Sequence, residues 1–140
     1  MKRLVFVREF SEPADRVFDH FAEHENLHPM FGARVTRLRD GDDGVRNGVG
    51  SVRRLKVGPA PAFEETITGF EPDQRIEYRI TKGSPLRDHV GELTFTPVPS
   101  GTRLEWTIHF SNPVPGVEYV LATVLSERIR RGLAGAEIPA

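Results

Sequence analysis

RDHVGELTFTPVPSGTRLEWTIHF, residues 87–110, contains two alternating runs and the turn that joins them. His89, Gly91, Leu93 and Phe95 fall on one parity of the first run. Leu104, Trp106, Ile108 and Phe110 fall on one parity of the second, and Pro99-Ser100-Gly101 lies between. Successive side chains of an extended strand point to opposite faces, so each run presents one mostly apolar face. A short Gly/Pro-bearing connector between such runs reads as a hairpin. The same signature repeats upstream at residues 49–57, 62–70 and 74–81. Gly58-Pro59-Ala60-Pro61, Glu71-Pro72-Asp73 and Gly83-Ser84-Pro85 separate these runs. Together they describe an antiparallel meander of five strands.

Further outward, residues 3–10 read as another strand and residues 33–39 as one more, the latter followed by a turn-rich run from Asp40 to Gly50. Ser11-Glu12-Pro13 reads as a helix start, a capping side chain and then a ring with its φ preset for the first turn. Ala14, Val17, Phe18 and Phe21 form one stripe of the short helix that follows, and a second short helix is expected to end near Met30-Phe31. After Asn112-Pro113-Val114-Pro115-Gly116 the period becomes helical. Val117, Val120, Leu121, Val124, Leu125, Ile129 and Leu133 mark a helix of nearly twenty residues. Its stripe must be buried, and the concave face of the sheet is the apolar surface on offer. The expectation is α+β: a curved antiparallel sheet of about seven strands wrapped on a long C-terminal helix, with two short helices after the first strand.

Composition narrows the function. A length of 140 residues suits one domain, residues 1–140, and no internal repeat or linker divides it. A formal net charge of −1 gives no global pull toward nucleic acid or an anionic membrane. The absence of cysteine excludes disulfides, thiolate catalysis and cysteine metal sites. MKRLVFVREF starts like a secretion signal, but Arg8 and Glu9 interrupt it and no small-residue cleavage site follows. No segment approaches membrane-spanning length, so a cytoplasmic location without integral membrane association is expected.

The inward parity is not uniformly apolar. Besides Leu55, Val57, Phe63, Ile67, Ile76 and Ile80 it collects Arg53, Glu65, Tyr78 and His89. Buried charge is costly unless it is paired or faces a wet space, so the pattern suggests a sheet curved around a ligand pocket. Two readings are open for this set. In one, Arg53 and Glu65 brace the sheet as an ion pair and His89 is a satisfied interior histidine. In the other, Arg53 and Glu65 pair at the cavity wall while His89 and Tyr78 bind a ligand oxygen or move a proton beside a carbonyl. An imidazole suits that work because its ordinary pKa, about 6.5, lies near neutrality.

The order of elements and the segments VREFSEPADRVFDHFA, GSVRRL, FEETITGFEPDQRIEYRI, LRDHVGELTFTP and GTRLEWTIHF resemble the START-like helix-grip superfamily, in particular its polyketide cyclase/dehydrase-like branch. The resemblance covers nearly the whole chain. It implies a seven-stranded curved sheet with a long C-terminal helix lying across it and enclosing a cavity. It also implies binding of lipids, sterols, plant hormones or polyketide intermediates, with cyclisation or dehydration in a minority of members. Where the superfamily often carries a tryptophan after the first helices, this chain has Met30-Phe31-Gly32.

The expected ligand-binding set is therefore Arg53, Glu65, Tyr78, His89, Phe95, Trp106, Phe31, Leu121 and Leu125. His89, Tyr78 and Glu65 are the candidate catalytic groups if the protein is a cyclase or dehydratase. No cofactor is implied, and the expected partner is a small hydrophobic molecule. Phe63, Phe95, Trp106 and Phe110 serve either as core or as a stacking surface for a flat ligand. Met30 and Phe31 are either a lid or a packed staple, and Gly91 leaves room for a bend or a ligand. Arg128, Arg130 and Arg131 read as a basic helix end that complements the dipole, with an anionic ligand head or partner surface as the alternative. His24-Glu25-Asn26-Leu27-His28 matches the zinc-protease pattern H-E-x-x-H. That pattern needs both imidazoles on one helical face, and Pro29 is expected to end the helix at His28, so no metal site is assigned.

Overall fold

The period-two alternation produces seven strands in a single sheet. They are β1 (Lys2–Phe10), β2 (Arg34–Arg39), β3 (Val52–Lys56), β4 (Phe63–Glu71), β5 (Arg75–Lys82), β6 (Arg87–Val98) and β7 (Gly101–Ser111). The computed structural model describes residues 2–84, 87–111 and 117–139, and of residues 117–121 the backbone alone. Spatial order is β1-β7-β6-β5-β4-β3-β2, with every neighbouring pair antiparallel. The meander accounts for six strands, and β1 completes the sheet by pairing with β7.

Register confirms the inward parity. Arg53 faces Glu65, Ile67 faces Tyr78, Tyr78 faces Gly91, Gly91 faces Ile108 and Leu93 faces Trp106. Leu55, Ile67, Ile76, Leu93, Ile108 and Phe110 on this face are all buried. β3 begins later than the alternation suggested. Gly50 adopts φ +90 and Val49 accepts the Asp42 amide, so residues 49–51 form the end of the preceding turn rather than strand.

The helices are α1 (Ala14–Ala22), α2 (Leu27–Phe31) and α3 (Val117–Gly135), with one 3₁₀ turn (His24–Asn26) between the first two. α1 presses Val17, Phe18, Phe21 and Ala22 into the core. Phe18 meets Phe95 and Phe70 edge-on, each with ring centroids 5.2 Å apart, and Phe21 stands 5.8 Å from Phe10. Burying an aromatic side chain of this kind stabilises by about 1.5–3 kcal/mol. The helix start differs from expectation. Pro13 itself is the N-cap, and Ser11 turns its hydroxyl to Glu12 instead of capping. The first-turn amides of Arg16 and Val17 donate to the Pro13 carbonyl.

α2 runs through Pro29 to Phe31 rather than stopping at His28. Pro29 sits within the first turn, where no backbone N–H has an intrahelical acceptor, so the missing donor costs nothing. The α3 stripe is also displaced from the expected one. Ala122, Ile129 and Leu133 are buried and Leu125 is half-buried, whereas Val124 is 59% exposed. Of the expected stripe, the side chains of Val117, Val120 and Leu121 lie outside the described residues.

α3 ends at Gly135, more than a turn beyond Arg128, Arg130 and Arg131, so these arginines do not cap it. The cation that does so comes from the other end of the chain. Arg8 of β1 donates Nη1 to the carbonyls of Leu133 and Ala136, the latter at 2.7 Å. Unsatisfied carbonyls and the negative dipole end of a helix favour such a partner.

Candidate functional site

Between the inner face of β3–β7 and helices α2 and α3 lies a cavity offering about 110 Å³ of room for the centres of water molecules. A single water needs roughly 10–15 Å³ on this measure, so the space is larger than one solvent site. Most of its wall is apolar. Its polar points are Arg53, Glu65, Tyr78 and His89 inside and Arg128 where α3 meets α2.

β3 and β4 place Arg53 and Glu65 directly opposite one another, and both side chains are buried. Arg53 donates Nε to Oε1 of the carboxylate at 2.8 Å, and its Nη2 lies 2.7 Å from the same oxygen as an ion pair. The guanidinium also lies 5.5 Å from the centroid of the Tyr78 ring. The charges compensate each other, so this end of the cavity is polar but carries no net charge.

Tyr78 accepts a hydrogen bond from Trp106 Nε1 at 3.1 Å. Burial, reinforced by the Glu65 carboxylate, pushes its phenol well above the ordinary value, so Tyr78 stays protonated. It is a fixed donor and not a titrating acid. The space that Gly91 vacates belongs to Tyr78: a Cβ at Gly91 would stand 2.0 Å from the Tyr78 ring. Gly91 thus admits the tyrosine rather than a bend or a ligand.

His89 owes its position to a bulge. The β6–β7 register slips between Arg87 and Val90, and Asp88 takes a positive φ of 52. Bulges re-aim side chains in this manner. The imidazole is buried beside Phe110 (5.8 Å) and Tyr78 (6.2 Å), and neither ring nitrogen has a hydrogen-bond partner among the described residues. Burial lowers its pKa, with the Glu65 carboxylate opposing the shift, so the ring is neutral at pH 7. A neutral imidazole offers one donor and one acceptor, and here both are unused.

The remaining expected site residues divide. Phe31, Trp106 and Leu125 line the cavity, with Phe31 packed edge-on against Trp106 at 5.4 Å. Phe95 does not; it stands behind the wall against Phe18 and Phe21. The side chain of Leu121 lies outside the described residues. Phe31 is a packed staple, and α2 is pinned against α3. Arg128 Nη1 donates to the Phe31 carbonyl at 2.9 Å, and a Cβ on Gly132 would fall 2.2 Å from the Phe31 ring.

The H-E-x-x-H residues diverge. His24, fully buried, bonds Ser51 Oγ through Nε2 at 3.3 Å. Since Ser51 gives its own proton to the Gly48 carbonyl at 2.7 Å, the network assigns the His24 proton to Nε2. Burial, aided by the nearby Arg53 and Arg37 charges, lowers its pKa to about 3. His28 Nδ1 donates to the Ala33 carbonyl at 2.7 Å. Glu25 pairs with Arg37 at 2.8 Å, and that bond leads the causes holding its pKa at about 2. Arg37 also joins Glu23 and Asp40, a hub that no spacing in the sequence announces. Among the described residues no three His, Asp or Glu side chains gather where a metal ion could sit.

The chain can now be compared with known proteins. A family profile described as "Polyketide cyclase / dehydrase and lipid transport" matches residues 1–137. The chain belongs to this family. Its helix-grip fold recurs in the ZhuI aromatase/cyclase from Streptomyces sp. R1128, with 19% identity, 95% of this chain and 92% of that chain covered, and a TM-score of 0.76. It recurs equally in a START superfamily protein from Mycobacterium smegmatis, at 19% identity, 95% and 94% coverage and TM-score 0.76. A Mesorhizobium loti protein, MLL2253, follows at 16% identity, 94% and 93% coverage and TM-score 0.71. No curated protein matches the chain. Identities this low speak for the family's fold and leave the chemistry to the cavity itself. Among the described residues no helix is long and apolar enough to cross a membrane.

Proposed function

We propose that this family member is a single-domain, cytoplasmic protein that binds a small, largely hydrophobic molecule bearing a carbonyl or hydroxyl oxygen. The observation carrying this reading is the pairing of an apolar cavity with His89, a buried imidazole whose two nitrogens have no partner among the described residues. Orphaned buried polar groups are expensive, and a ligand oxygen would relieve this one. Arg53, Glu65 and Tyr78 form the same polar end, while Phe31, Trp106 and Leu125 enclose the apolar body of the ligand. The ZhuI and START relatives support a cavity function of this kind.

The test is mass spectrometry of small molecules retained through native purification, followed by thermal-shift titration with the compounds found and with sterol, fatty-acyl and aromatic ketone panels. Retention or stabilisation by an apolar oxygenated compound, lost in Trp106→Ala, is expected. A protein that neither retains nor responds to any such compound refutes the reading.

A second reading, a cyclase or dehydratase, is favoured by the protonation state of the same imidazole. Neutral His89 can accept a proton from a carbon flanked by carbonyls, and the Arg53 guanidinium can face the resulting enolate oxygen. Turnover of a poly-β-ketone abolished by His89→Ala would establish it; turnover unchanged in both His89→Ala and Glu65→Gln would remove these groups from any mechanism.

A further inference from the structure

The cavity has two polar ends that differ in charge. At the inner end Arg53 is neutralised by Glu65 through one hydrogen bond and a close ion pair to the same oxygen. At the outer end Arg128 lines the cavity and also the shallow recess outside it, which Met30, Phe31, Glu127, Arg131 and Gly132 complete. Glu127 is the carboxylate of this recess, and it is taken by Arg131 at 2.8 Å. Among the described residues Arg128 makes one bond, to the neutral carbonyl of Phe31, and no carboxylate pairs with it. The outer end therefore carries one uncompensated positive charge in a spot reached from both the apolar cavity and the solvent-facing recess.

A guanidinium presents five donors in a planar fork, and one bond to a carbonyl leaves most of them available. Resting on the ligand-binding reading above, we propose that the ligand is an amphipathic anion. Its carboxylate or phosphate head would meet Arg128 at the α2–α3 mouth, while its apolar body fills the cavity toward Trp106. A neutral oxygen at its far end would reach His89. Charge complementarity sets the direction of entry: an anionic head led inward would meet an already neutralised pair, whereas one left at the mouth meets Arg128, which no described carboxylate pairs.

Trp106, the chain's only tryptophan, lines the cavity and reports occupancy by its fluorescence. The probes are octanoate, octyl phosphate and octan-1-ol, with 2-naphthoate and naphthalen-2-ylmethanol as a flat pair. Each acid is expected to bind about tenfold more tightly than its alcohol, as a charge-assisted bond to one arginine allows. Arg128→Gln should erase that preference while leaving alcohol binding in place. Glu127→Gln, which releases Arg131, should strengthen it and keeps the proposal testable if Arg128→Gln unfolds. Octanoate and octyl phosphate distinguish a carboxylate head from a phosphate one. Acids and alcohols binding equally, or a preference that survives Arg128→Gln, overturn this proposal alone. If no probe binds, the ligand-binding reading falls and takes the head-group assignment with it.

Discussion

Replacing Glu65 by leucine would leave the Arg53 guanidinium buried without its carboxylate. Arg53 and Glu65 are 6% and 7% exposed, so water cannot readily replace the lost partner. Nε of Arg53 loses its acceptor and Nη2 its ionic partner, because both approach Oε1. Breaking a buried pair from one side costs about 3–5 kcal/mol, a large part of the 5–15 kcal/mol that typically holds a domain together. At this length roughly 3–4 °C of melting temperature accompanies each kcal/mol, so a loss of about 10–20 °C is expected. Urea unfolding followed by Trp106 fluorescence would show the midpoint falling by about 2 M for a slope near 2 kcal/mol/M. The double variant Arg53→Met/Glu65→Leu removes both charges and fills the space with apolar atoms. It should recover to within about 1 kcal/mol of the parent or exceed it. A Glu65→Leu loss below about 1 kcal/mol, or a double variant no better than the single, would refute the claim that the pair is a compensated charge in a dry wall.

Further expectations concern single atoms. Gly91→Ala puts a methyl into the Tyr78 ring and should cost about 1–3 kcal/mol by overpacking, with a shift in Trp106 emission as its bond to Tyr78 is strained. The folded-state pKa values of His24 and His89 are both lowered, so the unfolded chain binds more protons as pH falls below about 6.5. Stability is therefore full above that value and declines between pH 6.5 and 5, by up to about 2 kcal/mol for His24. Urea midpoints across this range should fall with pH in the parent and less steeply in His24→Gln; a flat profile contradicts the assigned neutral state. Arg8→Met strips the last α3 carbonyls of their cation and should lower stability by about 1–3 kcal/mol, with hydrogen exchange fastest over the final turn of α3.

The sheet and its inward parity were readable because alternation is a property of local sequence. A face built from Leu55, Ile67, Ile76 and Leu93 admits one register, since a slip of one residue would expose them all. The same periodicity found the Arg53–Glu65 pair and the inward placement of Tyr78 and His89. It could not separate Phe95 from Trp106. Both lie on the correct parity, and only the docking of α1, with Phe18 and Phe21, assigns Phe95 to the packed core. Nor could it predict that Gly91 accommodates Tyr78 from the neighbouring strand, or that Arg8 rather than Arg130 or Arg131 serves the end of α3. Those outcomes depend on contacts between residues far apart in the chain. H-E-x-x-H illustrates the converse: a strong local pattern dissolves because the helix changes type at Asn26, sending His24 to Ser51 and His28 to Ala33.

The bond from Arg8 to the end of α3 also bears on biosynthesis. β1 pairs with β7, so the segment from Lys2 to Phe10 meets its partner strand only after about ninety further residues have been made. At roughly 5–20 residues per second this is an interval of about 5–20 s, and the final lock on Leu133 and Ala136 comes later still. During it Val5 and Val7, exposed even in the finished fold, belong to a solitary strand with open hydrogen-bonding edges. Lys2, Arg3, Arg8 and Glu9 surround them with charge. Charge beside an open strand disfavours its pairing with another, so neutralising these four residues should raise aggregation during synthesis, read as the insoluble fraction on expression.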